Sequence, residues 1–155
     1  MSYSKSKKAT IISIVAIIVS LTAFLGVVVG LVNMSDTDSV SNTGFSVGTI
    51  DATTGKALDS KLSIYTPDKY TVDGLEIKLV DEPTVTYKVF FYDEEGEFVS
   101  ASAEQAGDFV STSVPEGAAT FRVLITPNKV DGEAVEITML NKASYIEQLE
   151  ISFNK

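Results

Sequence analysis

The stretch TVTYKVFFY, residues 84–92, decides the fold. Val85, Tyr87, Val89 and Phe91 fall two apart, opposite Thr84, Thr86 and Lys88. Successive side chains of an extended strand point to opposite faces, so this spacing predicts a strand with one face on a core and the other wet. The same period runs through Leu75, Ile77 and Leu79, and through Phe121, Val123 and Ile125 against Thr120 and Arg122. It predicts a further strand at Val135, Ile137 and Met139, and a last one at Leu149, Ile151 and Phe153. Between the runs lie Thr53-Thr54-Gly55, Val72-Asp73-Gly74, Asp93-Glu94-Glu95-Gly96, Pro115-Glu116-Gly117 and Val130-Asp131-Gly132, all with turn chemistry. No segment after residue 45 carries a sustained helical period. The expected class is all-β: an antiparallel β-sandwich of jelly-roll type over residues 45–155, with about eight strands. A domain of that size can build one cooperative core without disulfides.

Ahead of this domain the chain changes character. Residues 9–32 are 24 consecutive positions without a charge. As a helix at about 1.5 Å per residue they reach roughly 36 Å, enough to cross a hydrocarbon core of about 30 Å. A signal-peptide core of about 7–15 residues is much shorter, so the run reads as an uncleaved signal-anchor. Lys5, Lys7 and Lys8 lie in the basic segment 1–8, while Asp36 and Asp38 follow the span. That asymmetry predicts a cytoplasmic N-terminus and an extracellular C-terminal domain on a single-pass membrane protein. Thr22, Gly26 and Gly30 share one helix face, a small-residue pattern through which two such helices can pair as a homodimer. Residues 33–44, NMSDTDSVSNTG, have little to bury and read as a flexible stalk.

Charge and composition remove whole classes of function. The 155 residues include 12 basic and 21 acidic side chains, a formal charge of −9, and neither His nor Cys. Nucleic-acid binding, which needs clustered Lys and Arg, is not expected. The missing His and Cys remove Ser-His triads, thiol nucleophiles and the commonest zinc and haem ligands.

Four segments carry a resemblance. They are GTIDATTG (48–55), IYTPDKYTV (64–72), YKVFFYDEEGEFV (87–99) and VPEGAATFRV (114–123). Their order and spacing resemble a β-sandwich module of Gram-positive bacterial surface and phage adsorption proteins, akin to galactose-binding-like, carbohydrate-binding jelly rolls. The resemblance implies a non-catalytic surface module for adhesion or for binding cell-envelope glycans.

Sugar binding needs an aromatic face for stacking and planar polar groups to fix hydroxyls. Tyr65, Tyr70, Tyr92 and Tyr145 are the candidate platforms, and half-buried packing is their alternative role. Arg122, the single arginine, lies opposite the Phe121, Val123 and Ile125 stripe, where its guanidinium can grip a carboxylate, phosphate or sugar diol. Cross-strand pairing with Glu76 or Glu136 is its structural alternative. Asp51, Thr53 and Thr54 form an oxygen-rich turn where the resemblance implies a structural calcium. Otherwise no cofactor is expected. Asp93, Glu94, Glu95 and Glu97 around Gly96 read as a solvated hairpin tip. Glycoside hydrolysis needs two opposed carboxylates, and nothing in the sequence pairs them, so no enzyme activity is expected. The reading is a membrane-anchored binding module for an envelope glycan or surface protein. Its alternative is a structural subunit of an envelope protein assembly.

Overall fold

The computed structural model describes residues 37–155. In chain order they form β1 (Thr37–Ser39), β2 (Ser46–Val47), β3 (Thr49–Ile50), β4 (Ala57–Leu58), β5 (Ile64–Tyr65) and β6 (Tyr70–Thr71). Then follow β7 (Glu76–Leu79), β8 (Val85–Tyr92), β9 (Phe98–Ala101), β10 (Thr120–Pro127), the short helix α1 (Lys142–Ile146) and β11 (Leu149–Asn154). The class is all-β and antiparallel, as the alternating pattern predicts. The membrane helix expected over residues 9–32, with its pairing face Thr22, Gly26 and Gly30, lies outside the described residues. Among those described, no helix is long and apolar enough to cross a membrane.

The longest strands, β8 and β10, pair over eight residues, from Thr120 opposite Tyr92 to Pro127 opposite Val85. They form the middle of a six-stranded sheet in the order β2-β5-β10-β8-β9, with β6 also on β10. A three-stranded sheet runs β1-β11-β7, and β3-β4 forms a separate ribbon. Val85, Tyr87, Val89 and Phe91 share one buried cluster with Phe121, Val123 and Ile125, and with Ile77, Ile151 and Phe153 of the three-stranded sheet. The two larger sheets thus bury their predicted stripes against each other. Complete burial of one side chain of this size contributes about 1.5–3 kcal/mol. The chain between β9 and β10 passes from one sheet to the other: Gln105 bridges Tyr87, and Phe109 bridges Ile77.

Three sequence expectations change. The run Val135, Ile137 and Met139 is not a strand: only Ile137 is buried, and Met139 is 92% exposed. Local bonding explains the departure. Thr138 N–H donates to Asn141 Oδ1 at 2.8 Å, and Asn141 N–H donates to Thr138 Oγ1 at 3.3 Å. This reciprocal pair of bonds closes a turn that leads into α1, a helix too short to leave a periodic trace in sequence. Its Ile146 enters the core.

Residues 37–44, expected within the flexible stalk, are folded. β1 pairs with β11 from Thr37 opposite Asn154 to Ser39 opposite Ser152, and Val40 packs on the core. A 3-10 turn, Asn42–Gly44, leads into buried Phe45. Few of these residues are apolar, so their order comes from backbone pairing with β11.

The third change is a second apolar cluster on the outer face of the six-stranded sheet. Ile50, Phe90, Tyr92 and Leu124 are buried there, against Tyr65, Phe98 and Ala101. The consecutive run Phe90-Phe91-Tyr92 is its sequence mark, because adjacent apolar residues in one strand serve opposite faces.

The role of β1 is open to direct measurement. A fragment beginning at Phe45 should unfold in urea with about 1–3 kcal/mol less stability than one beginning at Thr37, given the backbone pairs and Val40 contact it loses. Equal stabilities would show that β1 contributes nothing to the domain.

Candidate functional site

The outer face acquires its relief from one proline. β5 and β6 both pair with β10, β5 opposite Leu124 and Ile125, β6 opposite Thr120 and Phe121. Between them lies Thr66-Pro67-Asp68-Lys69. Pro67 has no N–H to donate, so the ladder cannot continue through it. Thr66, fully buried, holds the break closed: its N–H donates to Val123 O at 3.0 Å, and its Oγ1 accepts from Val123 N–H at 2.9 Å.

Arg122 fills the break from β10. Its Nε donates to Thr66 O at 2.8 Å and its Nη2 to Pro67 O at 2.6 Å, while its guanidinium lies 5.3 Å from the Tyr65 ring centre. Neither Glu76 nor Glu136 is its partner; Glu136 pairs with Lys61 at 3.0 Å. The displaced segment carries Lys69 across the face. Lys69 Nζ sits 4.1 Å from the Tyr92 ring centre and donates to Gly96 O at 2.6 Å. That combines a cation–π contact with a charge-assisted hydrogen bond.

Tyr92 forms part of a cleft of about 340 Å³, also lined by Gly55, Lys56, Lys69, Glu97, Phe98 and Arg122. The Tyr92 hydroxyl donates to Gly55 O at 2.6 Å, tying the β3-β4 turn to the sheet. Burial pushes this phenol above its ordinary pKa, and the neighbouring Arg122 partly counters the rise. Two glycines allow the close approach of the walls. Gly55 has φ +67°, and a Cβ there would lie 2.5 Å from the Phe98 ring; Gly96 has φ +84°, and a Cβ there would lie 3.0 Å from Lys69 Nζ. Both are left-handed conformations that other residues adopt at a cost.

Three of the five sequence-predicted ligand residues, Tyr65, Tyr92 and Arg122, come together on this face. Tyr92 is only 3% exposed, and Tyr65 is half-buried beside Arg122. Tyr70 and Tyr145 go elsewhere. Tyr70 packs in the main core against Phe121 and Phe153, with ring centres 5.9 and 5.2 Å away. Tyr145 lies on α1, half-buried against that same core. Lys56, Lys69 and Phe98 were not singled out by sequence. A signal existed for Lys69, which directly follows the strand-breaking Pro67-Asp68; Lys56 and Phe98 reach the cleft only through tertiary packing.

The oxygen-rich turn has an internal explanation. Asp51 Oδ1 accepts from Thr53 N–H at 2.9 Å, from Thr54 N–H at 2.8 Å and from Thr54 Oγ1 at 3.0 Å. The carboxylate therefore caps its own turn, and these bonds hold its pKa below the ordinary aspartate range. Among the described residues, no group of three or more acidic side chains is arranged to hold a metal ion. Asp93 is similarly occupied, accepting from Glu97 N–H at 2.8 Å within the β8-β9 hairpin.

Compared with protein-family models, curated proteins and solved structures, the chain matches none.

Two measurements test the supports of this face. Thr66→Val removes the acceptor of the Val123 N–H, and should lower stability in urea by about 1–3 kcal/mol while speeding hydrogen exchange at that amide. Unchanged exchange would show that the hydroxyl does not hold the break. Asp51 has a depressed pKa, so its contribution to stability is present above the unfolded value, near 3.9, and is lost as pH falls through the lower folded value. Asp51→Asn keeps an oxygen acceptor without the titration. Its melting temperature should fall less steeply than that of the unmodified chain in this acid range, and parallel melting curves would contradict the cap.

Proposed function

We propose that this chain is a membrane-anchored, non-catalytic binding module with its β domain outside the cell, and that the cleft beside Tyr92 is its ligand site. The observation that carries the reading is the convergence of Lys56, Lys69, Arg122 and Phe98 around Tyr92. A concave site where a few polar groups converge beside an aromatic wall is suited to a small ligand. Among the described residues, Glu97 is the sole carboxylate lining the cleft, which supports binding rather than the paired-carboxylate chemistry of glycoside hydrolysis.

The ligand class we infer is cell-envelope glycan, from the resemblance of the four segments to galactose-binding-like modules. The architecture we infer is a β-sandwich, supported by the core that the two larger sheets share. Their three and six strands differ from the paired four-stranded sheets of a regular jelly roll, so the connectivity proposed is the molecule's own. Membrane anchoring rests on the uncharged run at residues 9–32 and on the lysines before it. A second reading, a structural subunit binding other envelope proteins, draws on Met139 and Leu140, which are 92% and 96% exposed.

A glycan array probed with the full chain in detergent micelles separates the two. The binding reading expects retention of envelope-type glycans, with loss in Lys69→Glu. No retention, together with a protein complex captured by cross-linking through the region of Met139, would replace it with the structural reading.

A further inference from the structure

The cations of the cleft are held in an unusual manner for so acidic a domain. Residues 37–155 carry 9 basic and 20 acidic side chains. Yet Arg122 is fixed by the carbonyls of Thr66 and Pro67, and Lys69 by the carbonyl of Gly96. Carbonyl acceptors orient a cation but leave its full charge in place, whereas a carboxylate partner would cancel it. Lys56, which lines the same cleft, makes no side-chain hydrogen bond or ion pair among the described residues. A guanidinium has more N–H donors than two carbonyls use, and an ammonium has more than one. Three positive groups, two of them preorganised, therefore share a cleft in which Glu97 is the single lining carboxylate among the described residues.

We propose that the cleft takes an acidic saccharide, with Lys56, Lys69 and Arg122 receiving its carboxylate group and Phe98 bounding the sugar ring. This rests on the cleft being the glycan site proposed above, and adds the charge class of the ligand. Preorganisation reduces the ordering cost that flexible cations would otherwise incur on binding. The surrounding negative domain opposes a diffuse anion surface, so selectivity is confined to the cleft. At about 340 Å³ the cleft lies at the small end of ligand sites, and it receives a single charged unit of a chain rather than a long segment.

The test is calorimetric titration of the full chain in detergent micelles, at low ionic strength, with glucose, glucuronic acid, glycerol 3-phosphate and inorganic phosphate. Glucuronic acid should bind roughly tenfold or more tightly than glucose, the advantage of a charge-assisted pair. Lys56→Gln should reduce that ratio several-fold without changing the melting temperature, since the Lys56 side chain makes no hydrogen bond or ion pair among the described residues. Raised salt should also reduce it. Equal affinities for glucose and glucuronic acid would overturn the charge class while leaving the glycan reading standing. Binding of glycerol 3-phosphate or inorganic phosphate without glucuronic acid would assign the anion to a lipid headgroup or to free phosphate, and overturn the saccharide. A chain that binds none of the four, and retains no glycan on the array, would overturn both readings.

Discussion

The pairing of β8 with β10 is the constraint on which everything else depends. Eight residues stay in register from Tyr92 opposite Thr120 to Val85 opposite Pro127, with the inner face buried along its length and the outer face buried at Phe90, Tyr92 and Leu124. A one-residue slip would exchange the stripes, sending Phe121, Val123 and Ile125 outward and Arg122 into the main core. An unpaired guanidinium there would lack the carbonyls that now satisfy it. Register is therefore specified twice, by apolar burial on the inner face and by the Arg122 hydrogen bonds on the outer one.

The outer face shows how a local sequence defect becomes a shaped surface. Pro67 interrupts the pairing with β10 that β5 begins and β6 resumes, and the Thr66 and Pro67 carbonyls at the break are left for a side chain to satisfy. Arg122 satisfies them from the neighbouring strand. Thr66 replaces a missing backbone bond with its hydroxyl. The cleft wall at Lys69 follows from that displacement, and the tie from Tyr92 to Gly55 closes the opposite wall. The features that give the face its relief are thus the same ones that keep its backbone groups satisfied.

Most core strands were legible because period-two alternation reports a half-buried strand wherever one face is wet. Residues 75–79, 85–89, 120–123 and 149–153 follow it. The rule fails where its premise fails. At Phe90 and Tyr92 both faces are dry, so the second cluster hides in a run that reads simply as apolar. At residues 135–139 alternation is present, but Thr138 and Asn141 bond to each other's backbone and redirect the chain, leaving only Ile137 inside. β1 has the composition of a spacer, and its pairing depends on a strand more than a hundred residues away. Of the candidate site, Tyr65, Tyr92 and Arg122 were legible as ligand-binding residue types, and Arg122 alone by its face, whereas Tyr70 and Tyr145 were drawn to the main core.

What the sequence determined by itself is the class of structure and the exclusions. The alternating stripes, the turn residues between them and the absence of His and Cys are properties of neighbouring residues or of composition, and they need no three-dimensional partner to be read. Tertiary structure alone decided that Gly55, Lys56, Lys69, Phe98 and Arg122 surround one tyrosine, and that two of these cations are anchored by carbonyls and not by carboxylates. Those relations join segments far apart in the chain, and their energy depends on burial and distance, which no local pattern encodes.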